Sequence, residues 1–412
     1  MNEGKMKIGE LVGPGLDRLQ RFALIAAVVG LVLCVVGIFV NMNDSYGARR
    51  FFESYLFAFM FWFGITLGSL AFLMVHHVTG GGWGFILRRL LEASTRNLPV
   101  VLALFVPIIF GMNHLYGDWI HPHGAHAAVV EKKIGYLNTP GFLIRAVLYF
   151  AIWMTMAFFL NKWSAQQDEN DDGTWSRKLN MLSAAGLLVY VLTLTFASID
   201  WVMSLMPLWY SALFGVVILA GQALSTLALM SLLVSRLAGH TDLVKRVEPR
   251  YFRDIGNLTL AFTLFWAYTN FSQFLIYWSG NIAEEVEFYT ERMHGPWLVI
   301  GTILAFFHFF FPFFSLLSSS LKVNINNLAK LGLFIILMRH LDLFWYVTPH
   351  FRQEGASNPL AAFYITDLGA PLLIGGIWLW AWAREVRSRP VVPVHDPRLQ
   401  AHWPLKEVVQ HG

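Results

Sequence analysis

The sequence predicts an all-α integral membrane protein of ten transmembrane helices with both termini in the cytoplasm, and three observations carry that prediction. Of 412 residues, 56% are hydrophobic and only 14% are charged, and mean hydropathy is positive, a balance far from that of a soluble domain. Ten mostly apolar runs approach the ~20 residues that a helix needs to cross ~30 Å of hydrocarbon. Of the 30 Lys and Arg, 22 fall on the side of the N-terminus and 6 on the other, with Arg145 and Arg339 inside runs. Cytoplasmic loops carry such an excess, and an even number of spans returns the chain to its starting side.

The first run, Phe22–Asn41, ends without a small-residue cleavage site and so reads as a retained span rather than a signal peptide. It holds the single cysteine, Cys34. One cysteine excludes an intrachain disulfide, a cysteine-ligated iron–sulfur cluster and a C-x-x-C-H haem attachment within this chain. The second run, Ser54–Val75, leads into "HHVTGGGWGFILRRLLEASTR", where three glycines turn the chain. Trp83 to Arg96 then reads as an amphipathic helix with Arg88 and Arg89 toward anionic headgroups. After the third run, Leu98–Gly117, the outer loop "HPHGAHAAVVEKK" carries His121, His123 and His126. It is read as solvated rather than as a metal site.

Runs four to six are Phe142–Asn161, Leu179–Ile199 and Ala212–Ser235. Trp201 to Ser235 is 35 residues without a formal charge, ~52 Å as one straight helix, which no bilayer accommodates upright. The run must break, and Pro207, with no N–H to donate, is the natural place. Trp201, Trp209 and Tyr210 around it suit the headgroup belt. The last four runs are Asn257–Trp278, Pro296–Leu317, Leu331–Val347 and Leu360–Ala383, followed by a cytoplasmic tail, 384–412. The whole chain, 1–412, reads as one polytopic domain.

Ionisable groups inside hydrocarbon are costly and tend to be functional. His114, Asp118, Arg145, Asp200 and Asp367 fall toward the outer side, Arg339, His340 and Asp342 lie in the ninth run, and His308 lies mid-membrane in the eighth. Together they are candidates for a proton path. Asp200 has two readings, a helix end in water or a partner for Arg145. Arg339 and Asp342, three residues apart, could simply neutralise each other. In the seventh run Trp266, Asn270, Gln273 and Tyr277 share one helical face. That stripe either packs by hydrogen bonds against another helix or walls a quinone or water pocket. His76, His77, His114, His308 and His340 show no repeated spacing, which disfavours bound haem. The acidic outer segment "SGNIAEEVEFYTERMHGPW" is a solvated hairpin or a docking surface for a basic partner, with Glu284, Glu285, Trp201 and Trp209 as candidate docking residues. No feature calls for nucleic acid.

Four motifs in order, "HHVTGGGWGFILRRLLEA", "YLNTPGFLIRAVLYFAIW", "SIDWVMSLMPLWYSALFG" and "GNIAEEVEFYTERMHGPW", resemble the second large membrane subunit of bacterial alternative complex III. That subunit belongs to the superfamily of polysulfide-reductase and nitrite-reductase membrane anchors. The pattern departs at Gly141, Met206 and Ala283. The resemblance implies two four-helix bundles with two peripheral helices, in the bacterial inner (cytoplasmic) membrane. It further implies a quinol:cytochrome c, or other acceptor, oxidoreductase of a respiratory or photosynthetic chain. The partners would be a homologous ten-helix subunit, a multihaem cytochrome c, an iron–sulfur subunit and further small subunits. Haem c and iron–sulfur clusters would reside in those partners, quinone or menaquinone in the complex, and no covalent cofactor in this chain. The alternatives are an ion-coupled secondary transporter and a purely structural anchor for peripheral redox subunits.

Overall fold

The computed structural model describes residues 8–40, 47–122, 127–169, 173–238, 248–352 and 363–390, together with 393, 396 and 398. Among them there is no strand. The helices are α1 (Ile8–Val40), α2 (Gly47–Thr79), α3 (Gly82–Thr95), α4 (Leu98–Phe110), the short α5 (Met112–Leu115), α6 (Gly117–Ile120) and α7 (Ala127–Glu131), and α8 (Thr139–Glu169). There follow α9 (Thr174–Trp201), α10 (Phe214–Ala238), α11 (Pro249–Gly280), α12 (Ala283–Arg292), α13 (Gly295–Leu317), the short α14 (Ser319–Val323), α15 (Ile325–Val347) and α16 (Ile365–Arg387). Seven of these, α1, α2, α8, α9, α10, α13 and α16, are long and apolar enough to cross a membrane. The pair α3 and α4, bent by 45°, makes an eighth if it is one broken span.

The other expected spans are helical but differ in kind. The sequence shows the third as one run to Gly117, yet α4 stops after 13 residues. Pro107 lacks an N–H to continue the ladder, and at Gly111 a Cβ would lie 2.3 Å from the Phe52 ring. The seventh and ninth runs lie on α11 and α15, whose polar stripe and Arg339, His340 and Asp342 lower their apolar character.

Helices α2 and α10 form the centre, 89% and 83% buried over their most apolar stretches. α2 packs against α3, α9, α10, α15 and α16, while α10 packs against α9, α11 and α15. α1, α9 and α13 keep most of their apolar surface outward, with Phe22, Leu188 and Phe314 each more than 60% exposed. A belt of that kind marks contact with lipid or another apolar surface. α1 runs beside α16 through small residues: a Cβ on Gly376 would come within 2.4 Å of the Ala23 carbonyl oxygen. Such close backbone approach is how helices associate where burial from water contributes little.

Two breaks shape the ends. Gly80 sits at φ +70°, which only glycine adopts freely, and turns the chain from α2 into α3. After α9 a single 3₁₀ turn, Met203–Leu205, precedes Pro207, and helix resumes at Phe214. The break expected at Pro207 is thus present.

The amphipathic reading of Trp83–Arg96 is corrected. Arg88 and Arg89 do not face a headgroup surface; both are buried. Arg88 donates to Glu92 (3.0 Å), Asp396 (2.8 Å) and Gln167 (2.6 Å), and Arg89 donates to Glu92 (2.9 Å) and to Asp168. Buried guanidinium groups need such partners. Beside Glu92 on α3 itself, two of the acids that supply them, Asp168 on α8 and Asp396 in the C-terminal tail, lie far along the chain and are invisible to helical periodicity.

Candidate functional site: a polar column beside an apolar cavity

The ionisable residues singled out from sequence do not converge on one point. Six of the nine fall into three groups, two of them closed ion-pair clusters near the end of the bundle remote from Ile8 and Arg387, and Asp118, His114 and His340 lie apart from these. In the first, Arg145 on α8 grips Asp200 on α9 with two bonds of 2.9 Å, and Tyr149 adds a third of 2.9 Å. The Asp200 carboxylate is fully buried, whereas Arg145 is one-fifth exposed. Of the two readings of Asp200, the partner of Arg145 is the one the structure has.

In the second cluster Asp367, at the start of α16, takes two bonds from Arg352 (2.8 and 2.9 Å) and one from Ser54 (2.6 Å). Arg352 also donates to Glu53 (3.0 Å). Glu53 and Arg352 were not singled out from sequence, because each flanks an apolar run instead of interrupting it. The signal available was chemical: a buried Asp367 requires a cation, and Arg352 is the nearest in the chain. Asp118 likewise finds an unforeseen partner in His350 Nε2 (2.9 Å), whose Nδ1 lies 3.5 Å from Glu291. Burial alone would lower the His350 pKa, but the two carboxylates raise it to about 9. His114 is exposed and stacks on Phe52.

The third group lies deep in the bundle. On α15, Arg339 pairs with Asp342, and Asp342 accepts from Trp266 Nε1 on α11 (3.1 Å). Gly221 on α10 makes room for this, since a Cβ there would lie 2.1 Å from Arg339 Cζ. His308 packs edge-on against Trp266 with ring centroids 4.3 Å apart, and neither of its buried ring nitrogens has a hydrogen-bond partner among the described residues. It sits on the π-helical stretch Leu304–Phe310 of α13. The wider turn carries His308 inward while Phe306 and Phe310 stay outward. His340 lies elsewhere, its ring 3.7 Å from that of Phe61 and Nδ1 against the Ile336 carbonyl.

From Asp342 a ladder of hydrogen-bonding groups climbs the α11 stripe. Tyr346, one turn beyond Asp342, donates to Asn270. Gln273 donates to the Tyr289 hydroxyl (3.1 Å) and accepts from Ser211 (2.9 Å). Tyr277 donates to the Tyr210 carbonyl (2.5 Å), and the Tyr210 hydroxyl donates to Glu285 (2.8 Å). All four residues of the stripe are thus packed by hydrogen bonds, and two of them, Trp266 and Asn270, also line a cavity of about 590 Å³. Its polar wall adds Asp342, Tyr289 and Arg292, and its apolar wall includes Phe271, Phe274, Leu298, Phe309 and Phe310. Arg292, buried, fixes this end by donating to the Trp345 (3.1 Å) and Tyr346 (2.9 Å) carbonyls that close α15. Tyr346 was legible in principle, because it continues the Arg339 and Asp342 face at i+7 and i+4.

Trp201 and Trp209 are corrected as surface residues. Trp201 is fully buried among Phe59, Phe63, Phe105, Phe150 and Trp153, and Trp209 stacks on Phe288 at 4.3 Å. Large aromatics beside a break can fill the hole the break leaves as readily as they sit in headgroups. Tyr210, 55% exposed, does sit at the surface with Glu285. Glu284 lies on α12, its side chain outside the described residues, as are His123 and His126. Among the described residues no group of three His, Cys, Asp or Glu is placed to hold a metal ion. No family model matches the sequence, and a search of curated proteins returns no match.

Proposed function

We propose that this chain is a ten-span membrane subunit of a quinol:electron-acceptor oxidoreductase of the alternative complex III type, with both termini cytoplasmic. Two four-helix bundles, α2 with α3/α4, α8 and α9, and α10 with α11, α13 and α15, would carry α1 and α16 as a peripheral pair. Quinol oxidation yields two electrons and two protons. The electrons would pass to haem and iron–sulfur groups of partner subunits, and this chain would handle protons.

One observation carries the reading. Asp342, deep in the bundle, lines a largely apolar cavity and stands at the foot of a file of hydrogen-bonding side chains, paired in separate links, that reaches Glu285 on the far face. Ladders of carboxyl, amide and phenol groups can hold and relay protons where water is excluded. An apolar groove with a few convergent polar groups suits a ring that bears oxygens at one end and a hydrocarbon tail at the other.

The test has two parts. Mass spectrometry of what co-purifies with the tagged chain in mild detergent is expected to find c-type cytochromes, an iron–sulfur protein and a second ten-span subunit. Recovery of the chain alone, intact and monodisperse, from its native membrane would refute the complex and favour an ion-coupled transporter. In the assembled complex, Asp342→Asn is expected to slow quinol oxidation or abolish proton release while assembly persists. Full turnover and proton release in that variant would leave only a scaffold.

A further inference from the structure

A second cavity, of about 650 Å³, opens at the opposite end of the bundle, where α3 passes into α4 and where α8 and α16 finish. Its lining carries four cations, Arg96, Lys162, Arg384 and Arg389, against one carboxylate, Glu385. Glu385 is already engaged by Arg96 (3.0 Å) and Arg384 (3.4 Å). Lys162 makes no ion pair among the described residues; the Phe158 ring is its neighbour, at 5.9 Å. The floor is built rather than incidental. Arg389 is only 7% exposed and donates Nη2 to Asn161 (3.0 Å), and its Nε is buried without a hydrogen-bond partner among the described residues. The Asn97 side-chain oxygen is also buried and unpartnered, while its amide holds the Trp378 carbonyl (3.0 Å).

Below this basic level the walls turn apolar. Leu98, Pro99, Val100, Met154, Ala157 and Phe158 line the groove, and Phe158 is 60% exposed on the outward face of α8. The change from cationic to apolar occurs where three apolar runs end, at Leu98, Asn161 and Ala383, which is headgroup depth. Arg389 has Glu92 and Asp168 within electrostatic reach, and Glu385 serves both Arg96 and Arg384. A soluble anion would leave the apolar wall uncovered, and a neutral lipid would leave the charge of Lys162 and the excess charge of the Arg96–Arg384 pair without a counter-charge from the lining. We infer that the groove binds an anionic phospholipid, its phosphate held by Arg389, Lys162, Arg384 and Arg96 and its chains lying along α4 and α8. Basic pockets between membrane helices recognise such headgroups through this combination. The site is remote from the polar column, and the inference does not depend on the redox reading.

The test uses the purified full chain, delipidated and then supplied with cardiolipin, phosphatidylglycerol or phosphatidylcholine, with bound lipid read by native mass spectrometry and stability by thermal unfolding. The anionic lipids are expected to be retained and to raise the unfolding temperature, and phosphatidylcholine to do neither. Lys162→Gln with Arg384→Gln removes two exposed charges and should weaken retention about 30-fold, at ~1 kcal/mol per basic residue. The lipid-free unfolding temperature of this variant should stay unchanged. Arg18→Gln with Arg21→Gln, an equal loss of charge on exposed α1 positions, should leave retention intact. Equal weakening by both pairs, or retention of phosphatidylcholine as tight as that of the anionic lipids, would overturn the site.

Discussion

Replacing Arg145 with methionine isolates the worth of the first ion-pair cluster. The substitution keeps the length and apolar stem of the side chain but leaves the Asp200 carboxylate, fully buried, with only the Tyr149 hydroxyl at 2.9 Å. An uncompensated buried charge costs ~3–5 kcal/mol. Adding Asp200→Asn removes the charge while keeping an acceptor for Tyr149, so the remaining loss is that of ordinary hydrogen bonds, ~1 kcal/mol. The double variant should therefore be more stable than Arg145→Met alone by ~2–4 kcal/mol, an inversion that additive damage cannot produce. Equilibrium unfolding of the purified chain in mixed micelles, followed by tryptophan fluorescence, measures all three variants. Single and double variants of equal stability, or a loss below ~1 kcal/mol for Arg145→Met, would refute the buried-pair argument.

Other outcomes are open to the same measurement. Gly221→Leu should destabilise by at least the ~1–3 kcal/mol of overpacking, because Arg339 already occupies the space within 2.1 Å of its Cβ position. Trp201→Ala, fully buried, should cost ~3–5 kcal/mol, whereas Tyr210→Ala, at the surface, should cost under ~1 kcal/mol. The His350 pKa is raised in the folded chain to about 9, so its contribution is fully present below pH ~6.5 and is lost as pH rises through about 9. Because Asp118 is 42% exposed, the loss is discounted to ~1–2 kcal/mol across that window, and His350→Gln should flatten the stability profile there.

Much of the helical framework follows from one-dimensional pattern. Uniform apolar runs locate the long helices but not their ends, since α1 begins 14 residues before its run and the third run breaks at Gly111, and a 35-residue uncharged stretch predicts a break that Pro207 supplies. What pattern misses is pairing across the chain. Arg88 and Arg89 alternate with apolar residues as an interfacial helix would, yet Asp168 and Asp396, 79 and 308 residues away from their partners, draw them inside. Trp201 and Trp209 fail for a related reason, since side-chain direction beside a proline break depends on what packs behind it. The α11 stripe is the counter-example. Four polar residues on one face of a helix otherwise rich in apolar side chains have to meet partners, and three of the four meet tyrosines or serine from other elements.

The clusters differ in a way that assigns them different duties. In Asp200 and in Asp367 both carboxylate oxygens are held by guanidinium, hydroxyl or backbone donors, and these bonds, with that of Arg352 to Glu53, tie α8 to α9 and α2 to α16. Opening either cluster would break several charge-assisted bonds at once. Asp342 is held differently: its cation is its own helix neighbour, its other donor is a single indole, and it borders open volume beside a histidine whose ring nitrogens have no partner among the described residues. Asp342 is thus held by fewer elements than Asp367 and faces open volume where neither Asp200 nor Asp367 does. Asp200→Asn should therefore act on folding and assembly with turnover per assembled complex unchanged, and Asp342→Asn should act on turnover with assembly unchanged. Spectroscopic quantitation of assembled complex beside its quinol oxidation rate separates the two, and a reversed pattern would move the proton path to the far-end clusters.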